Sequence, residues 1–167
     1  ARTVMPIRGL EHQHEVFMQR CLVMSTQPTS TLQSRAIVAL GSSSRLDVND
    51  SMVTVVLGVL SDALNRDNSK MREELITCVA FSISKMVNGL QADSKYYGYL
   101  FWVSIALMNT YNMDIFGHGL QLFLACLKSL DDYGVFKQMS MSQYLLSSKE
   151  EFRGEWEKLE TTLDLHF

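Results

Sequence analysis

A chain of 167 residues with 47% hydrophobic, 20% charged and 10% aromatic residues can bury a sizeable core and is too apolar to stay disordered. Two Pro, nine Gly and three Cys exclude collagen-like, proline-rich and disulfide-scaffold classes. A net charge of −3 leaves no basic surplus with which to displace counterions, which removes the generic case for nucleic acid. The odd cysteine count, with Cys21, Cys78 and Cys126 far apart, reads as reduced, buried thiols in a cytoplasmic protein. The chain opens Ala1-Arg2-Thr3 without Met, and no apolar signal region follows. Tyr96–Met108 and Ile115–Leu127 are each shorter than the roughly 20 apolar residues that a bilayer requires. Residues 1–167 therefore read as one helical segment of a longer chain, with a complete protein that lost its Met as the alternative.

Taken in order, nearly every stretch has helical periodicity. The first helix is expected around His12–Met24. Pro28 sits just inside a second, Thr29–Leu40, with Gly41 as its stop. Gly41-Ser42-Ser43-Ser44-Arg45 reads as a polar inter-helix loop, sterically open to phosphorylation. Asp50 is the expected N-cap of Asp50–Leu64, where Met52, Val53, Val56, Leu57, Leu60 and Leu64 recur at three- and four-residue steps. The β-branched run from Val53 to Val56 could pass for a strand, but the pattern continues too far for one. Ser69–Val87 follows, stopped by Asn88-Gly89.

Lys95–Asn109 is apolar on nearly all sides, which places it between neighbours and predicts a buried Trp102. Met113–Leu130 ends near Asp131-Asp132. Ser140 with Gln143, and Ser148 with Glu151, have capping-box spacing and predict two last helices, Met141–Ser147 and Lys149–Leu163. The fold class is all-α, with about eight helices. Pairing Thr29–Leu40 with Asp50–Leu64, Ser69–Val87 with Lys95–Asn109, and Met113–Leu130 with the closing segments gives units of about 40 residues, the size of HEAT and armadillo repeats. The expected architecture is an α-solenoid; a closed helical bundle is the alternative. In an open array the end helices keep apolar surface, so Phe17, Phe152 and Trp156 are expected not to be buried by this chain alone.

No catalytic, cofactor or metal residue is assigned. His12 and His14 are two apart and so on different helix faces, and neither a CxxC pair nor HExxH occurs. Gly117-His118-Gly119 lacks the strand and Lys-Ser/Thr tail of a phosphate loop and reads as a loosened helix start. Cys78 and Cys126 fall on apolar helix faces, where thiols pack rather than react. Glu73-Glu74, Asp131-Asp132 and Glu150-Glu151 are explained by helix dipoles and solvated turns. The aromatic run Tyr96–Trp102 has only Lys95 beside it, too little charge for a base-stacking platform.

Two stretches carry a resemblance. One is Arg35-Ala36-Ile37-Val38-Ala39-Leu40-Gly41 followed, after a polar loop, by the helix ending Val59-Leu60-Ser61-Asp62-Ala63-Leu64. The other is Leu100-Phe101-Trp102-Val103-Ser104-Ile105-Ala106-Leu107, then Leu127-Lys128-Ser129-Leu130 and Val135-Phe136. From about Thr29 to Leu146 their order and spacing resemble the helical region of neurofibromin and its fungal relatives, the inhibitory regulators of Ras. In that family the region lies C-terminal to the GTPase-activating and Sec14-like modules.

The resemblance implies a non-catalytic scaffold segment of a Ras GTPase-activating protein, acting in architecture, partner binding or dimerisation. It implies a cytoplasmic protein that is peripheral at membranes through its parent chain. The family's arginine finger has no counterpart here, and Arg35, Arg45, Arg66 and Arg72 receive no catalytic role. Ras would be met only through the absent catalytic domain. Expected partners are proteins: adjacent repeats of the parent chain or a second copy of it. Two alternatives stand beside this reading. One is a segment of an unrelated HEAT or armadillo scaffold, such as a trafficking or transport receptor; the other is a closed bundle holding an apolar ligand.

Overall fold

The computed structural model describes residues 8–27, 32–43, 48–65 and 69–151, with Arg153, Gly154 and Glu157. Among them lie eight α-helices and no strand: α1 (Arg8–Ser25), α2 (Gln33–Ser43), α3 (Asp50–Leu64), α4 (Ser69–Met86), α5 (Tyr96–Met108), α6 (Met113–Asp132), α7 (Val135–Gln138) and α8 (Met141–Glu151). The all-α expectation holds. The β-branched run in α3 is helical because Val53, Val56, Val59 and Leu60 fall on one side and are buried together. Eight of the positions of α5, from Tyr97 to Leu107, are buried, as expected of a helix apolar all round.

Local chemistry sets the helix ends, not always where the sequence pattern places them. Asn49, not Asp50, caps α3: its Oδ1 accepts the Met52 amide at 3.0 Å, leaving Asp50 to take a hydrogen bond from Ser94 at 2.6 Å. α2 continues through Gly41 to Ser43, so the expected polar loop begins later, and residues 44–47 and Pro28 lie outside the described residues. The Ser140–Gln143 capping box forms in both directions, the Ser140 amide donating to Gln143 Oε1 at 3.1 Å and the Gln143 amide to Ser140 Oγ at 3.3 Å. Ser148 does not open a helix. It lies inside α8, buried, with its hydroxyl donating to the Leu145 carbonyl at 2.9 Å.

Contacts between side chains fix the helix directions. In α1 and α2, His14 meets the Ser43 carbonyl and Ser25 meets Gln33, so residue numbers run oppositely and the pair is antiparallel. In α5 and α6, Phe101 meets Phe123 and Tyr97 meets Tyr133, again antiparallel. Across α2 and α4, Ser34 faces Cys78 and the Ile37 carbonyl accepts from Ser82; the numbers rise together and the helices are parallel. The same holds for α4 and α6, where Glu73 meets Asn112 and Phe81 meets His118. α2, α4 and α6 therefore form one parallel row. α3 packs on α4 and α1, and α8 packs on α5.

The helix pairing differs from the expected one. α3 pairs with α4 rather than α2, and α5 with α6 rather than α4, so the hairpins are α1–α2, α3–α4 and α5–α6, beginning at residues 8, 50 and 96. The connections inside α3–α4 and α5–α6 are short, and the longest segment lies between α4 and α5. That segment is pinned by a parallel bridge between Val48 and Leu90 and by two phenols. Tyr97 and Tyr133 donate to the same Leu90 carbonyl at 3.0 and 2.8 Å. The Leu90 carbonyl is thus satisfied by two hydroxyl donors at the point where the chain changes hairpins.

Candidate functional site

The groups weighed for chemistry each have a structural occupation. His12 and His14 are exposed on α1, the latter 3.2 Å from the Ser43 carbonyl. Gly117-His118-Gly119 is not a loosened start but regular helix inside α6; His118 stacks edge-on to Phe81 at 5.5 Å, and Gly119 lets α6 approach Leu107 and Met108. Burial raises the Cys126 and Cys21 thiols. Cys78 is raised by burial and then by the Glu74 carboxylate, against a hydrogen bond from Ser34. None of the three is set up as a thiolate nucleophile. Among the described residues no three His, Cys, Asp or Glu side chains converge as metal ligands.

The carboxylate pairs are equally accounted for. Glu73 accepts from Asn112 at 3.3 Å, Glu150 pairs with Arg153 at 2.8 Å on the surface, and Asp131-Asp132 close α6 in solvent. The aromatic run of α5 is consumed by packing. Tyr97 and Phe101 are buried, and the Tyr96 hydroxyl is 2.6 Å from Thr54. Trp102 is half-buried rather than buried: its indole N–H donates to Ser148 at 3.3 Å and Lys149 lies 5.1 Å over the ring.

What the surface offers instead is apolar helix faces. On α1, Val16, Phe17 and Val23 are exposed, beside a shallow groove bordered by His12, Arg20 and Met24. Exposure of Phe17 fits the expectation for the first helix; Phe152 and Trp156 lie outside the described residues. On α6, Met113, Phe116, Leu120 and Leu124 line up at three- and four-residue steps with relative exposures of 78, 37, 40 and 56%. Tyr111, in the preceding turn, is fully exposed. Sequence periodicity marks these residues as apolar helix positions; only the packing of α4 and α5 decides that this side of α6 is left uncovered.

No described helix is long and apolar enough to cross a membrane. No protein-family model matches the chain.

Proposed function

We propose that this chain is a non-catalytic scaffold segment: part of an α-solenoid of HEAT or armadillo type belonging to a Ras GTPase-activating protein. The observation that carries the scaffold reading is the parallel row α2, α4, α6, flanked by α1, α3 and α5 in hairpins that begin at residues 8, 50 and 96. Repeats of about 40 residues that stack through equivalent helices bury one continuous core and leave long faces for partners. Exposed apolar faces on both α1 and α6 fit such an array better than a closed bundle. The Ras attribution rests on the resemblance over about Thr29–Leu146, and its partners are the adjacent repeats, other proteins or a second copy of the chain. The stacking itself would serve a trafficking or transport-receptor scaffold equally well.

Phosphoryl-transfer catalysis requires placed positive charge, and the non-catalytic reading rests on the missing counterpart of the family's arginine finger. A single-turnover assay of Ras-bound GTP with the purified chain is expected to give the intrinsic rate. Substantial stimulation would overturn the non-catalytic reading. Sequencing the transcript on the upstream side tests the family: a GTPase-activating module there supports it, and its absence removes it.

A further inference from the structure

The two donors that hold the Leu90 carbonyl are not equivalent. Tyr97 belongs to the first turn of α5 and is buried, whereas Tyr133 follows the last turn of α6 with a relative exposure of 44%. The Tyr133 hydroxyl reaches the Leu90 carbonyl at 2.8 Å across 43 residues of sequence, and its ring meets Tyr97 edge-on at 6.1 Å. Tyr133 thereby clips the end of the third hairpin to residues 87–95, the segment that joins that hairpin to the second.

The backbone around Tyr133 is lightly anchored. Tyr133 is the C-cap of α6, Gly134 follows in the left-handed region with φ 73°, and α7 contributes no fully buried residue. A stretch that buries so little opens locally at small cost. Asp131 and Asp132 before it are exposed. Other tyrosines lack this combination. Tyr111 is fully exposed in the turn before α6, and the Tyr96 hydroxyl, 2.6 Å from Thr54, belongs to a half-buried side chain inside α5.

We propose that Tyr133 is an acceptor for a tyrosine kinase, and that its phosphorylation releases residues 87–95 from the end of α6. The Tyr133 phenolic oxygen attacks the γ-phosphorus of ATP and forms the new O–P bond as the bond to the bridging oxygen breaks. ADP leaves, and the phenolic proton passes to the catalytic base of the kinase. The oxygen that donated to Leu90 becomes an ester oxygen with no proton to give. The added group carries a charge of about −1.5 to −2 at pH 7. At 2.8 Å from a carbonyl oxygen, at a helix C-terminus and beside Asp131 and Asp132, that charge is repelled, so the ring swings outward. Leu90 keeps Tyr97 as its donor, which confines the change to this joint.

The test treats the whole folded chain with a tyrosine kinase of broad specificity and Mg-ATP, maps the phosphate by peptide mass spectrometry, and follows hydrogen exchange by segment. Phosphate on Tyr133 is expected, with exchange in residues 87–95 faster by roughly three- to tenfold, the change that one lost hydrogen bond produces. Phosphatase treatment should restore the original rates. Tyr133→Phe, which lacks the donor from the start, should show the faster exchange without the kinase and gain nothing from it; circular dichroism checks that its helices persist. A Tyr133 that accepts no phosphate in the folded chain overturns the proposal, whether or not the denatured chain is modified. So does phosphate on Tyr133 with unchanged exchange, or acceleration spread evenly over α2 and α4, which marks general unfolding. The Ras assay reads the scaffold proposal independently of all these outcomes.

Discussion

Gly41 of α2 lies against the backbone of Ser82 in α4: a Cβ built on Gly41 would stand 2.5 Å from the Ser82 Cα and 2.6 Å from its Oγ. The Ser82 hydroxyl donates to the Ile37 carbonyl one turn earlier in α2, so the closest approach of the two helices also satisfies a buried hydroxyl. Because the obstacle at Gly41 is main chain, rotating a side chain cannot relieve it. Gly41→Ala is expected to destabilise by about 1–3 kcal/mol, the ordinary cost of overpacking. Ser82→Gly should fail to rescue it, since the Cα remains. Urea midpoints of the single and double variants decide this, and a full rescue would show that the helices can slide apart.

The contact of Gly98 with Ser148 has the opposite character. An added Cβ on Gly98 would sit 2.2 Å from Ser148 Cβ and 2.9 Å from its Oγ, but 3.5 Å from its Cα. The obstacle is side chain, so Gly98→Ala should loosen α8 while Gly98→Ala with Ser148→Gly recovers much of the loss. The recovery is incomplete because Trp102 loses its acceptor, a hydrogen bond worth about 0.5–1.5 kcal/mol. A double variant no better than Gly98→Ala alone would mean that α8 is held elsewhere.

For Trp102 itself the expected loss on replacement by Ala is below the roughly 3–5 kcal/mol of a fully buried tryptophan. Trp102 is only partly buried, so about 1–3 kcal/mol is expected, with α8 affected before the α2–α4–α6 row. Hydrogen exchange resolved by segment checks the order. Uniform loss of protection across all helices would place Trp102 in the common core.

Alkaline pH should weaken the fold. Burial, then the neighbouring Tyr133 phenol, holds the Tyr97 phenol above its ordinary 10.0, and burial alone holds the Cys126 thiol above 9.0. Both groups keep their protons in the folded chain and lose them more readily in the unfolded one. Stability is therefore complete below about pH 8.5 and falls as pH rises through the unfolded-state values. Tyr97→Phe is expected to start about 1 kcal/mol lower, from the lost bond to the Leu90 carbonyl, and then to decline less steeply. Urea titrations at about pH 8 and about pH 10.5 measure both effects. Parallel declines would remove Tyr97 from the account.

At the start of α3 the capping residue is Asn49, whose side chain accepts the Met52 amide. Asn49→Ala should cost about 0.5–2 kcal/mol, whereas Asn49→Ser should be nearly neutral. If Asn49→Ala left the thermal midpoint unchanged, the first turn of α3 would owe its order to packing of Met52 and Val53 alone.

The sequence by itself determined the helices. Apolar recurrence at three- and four-residue steps predicted α3, α4, α5 and α6 to within a residue or two, because a helix that buries one side must repeat at that period. The Ser140–Gln143 box was also legible, since both partners lie within one turn. Capping at Asn49 and the continuation through Ser148 were not: either Asn49 or Asp50 can cap, and a serine that caps in one setting bonds its own helix carbonyl in another. Nor could the pattern say which helix meets which. An apolar stripe is compatible with several neighbours, and the choice of α4 over α2 as partner of α3 is made by the fit of whole faces. The same is true of the candidate surface. Met113, Phe116, Leu120 and Leu124 look in the sequence like any core positions, Gly41 like a helix stop and Gly98 like an ordinary helix glycine. Only when α4, α5 and α8 arrive does one set become exposed edge and the other become points of close approach, because burial belongs to the assembled helices and not to any single one.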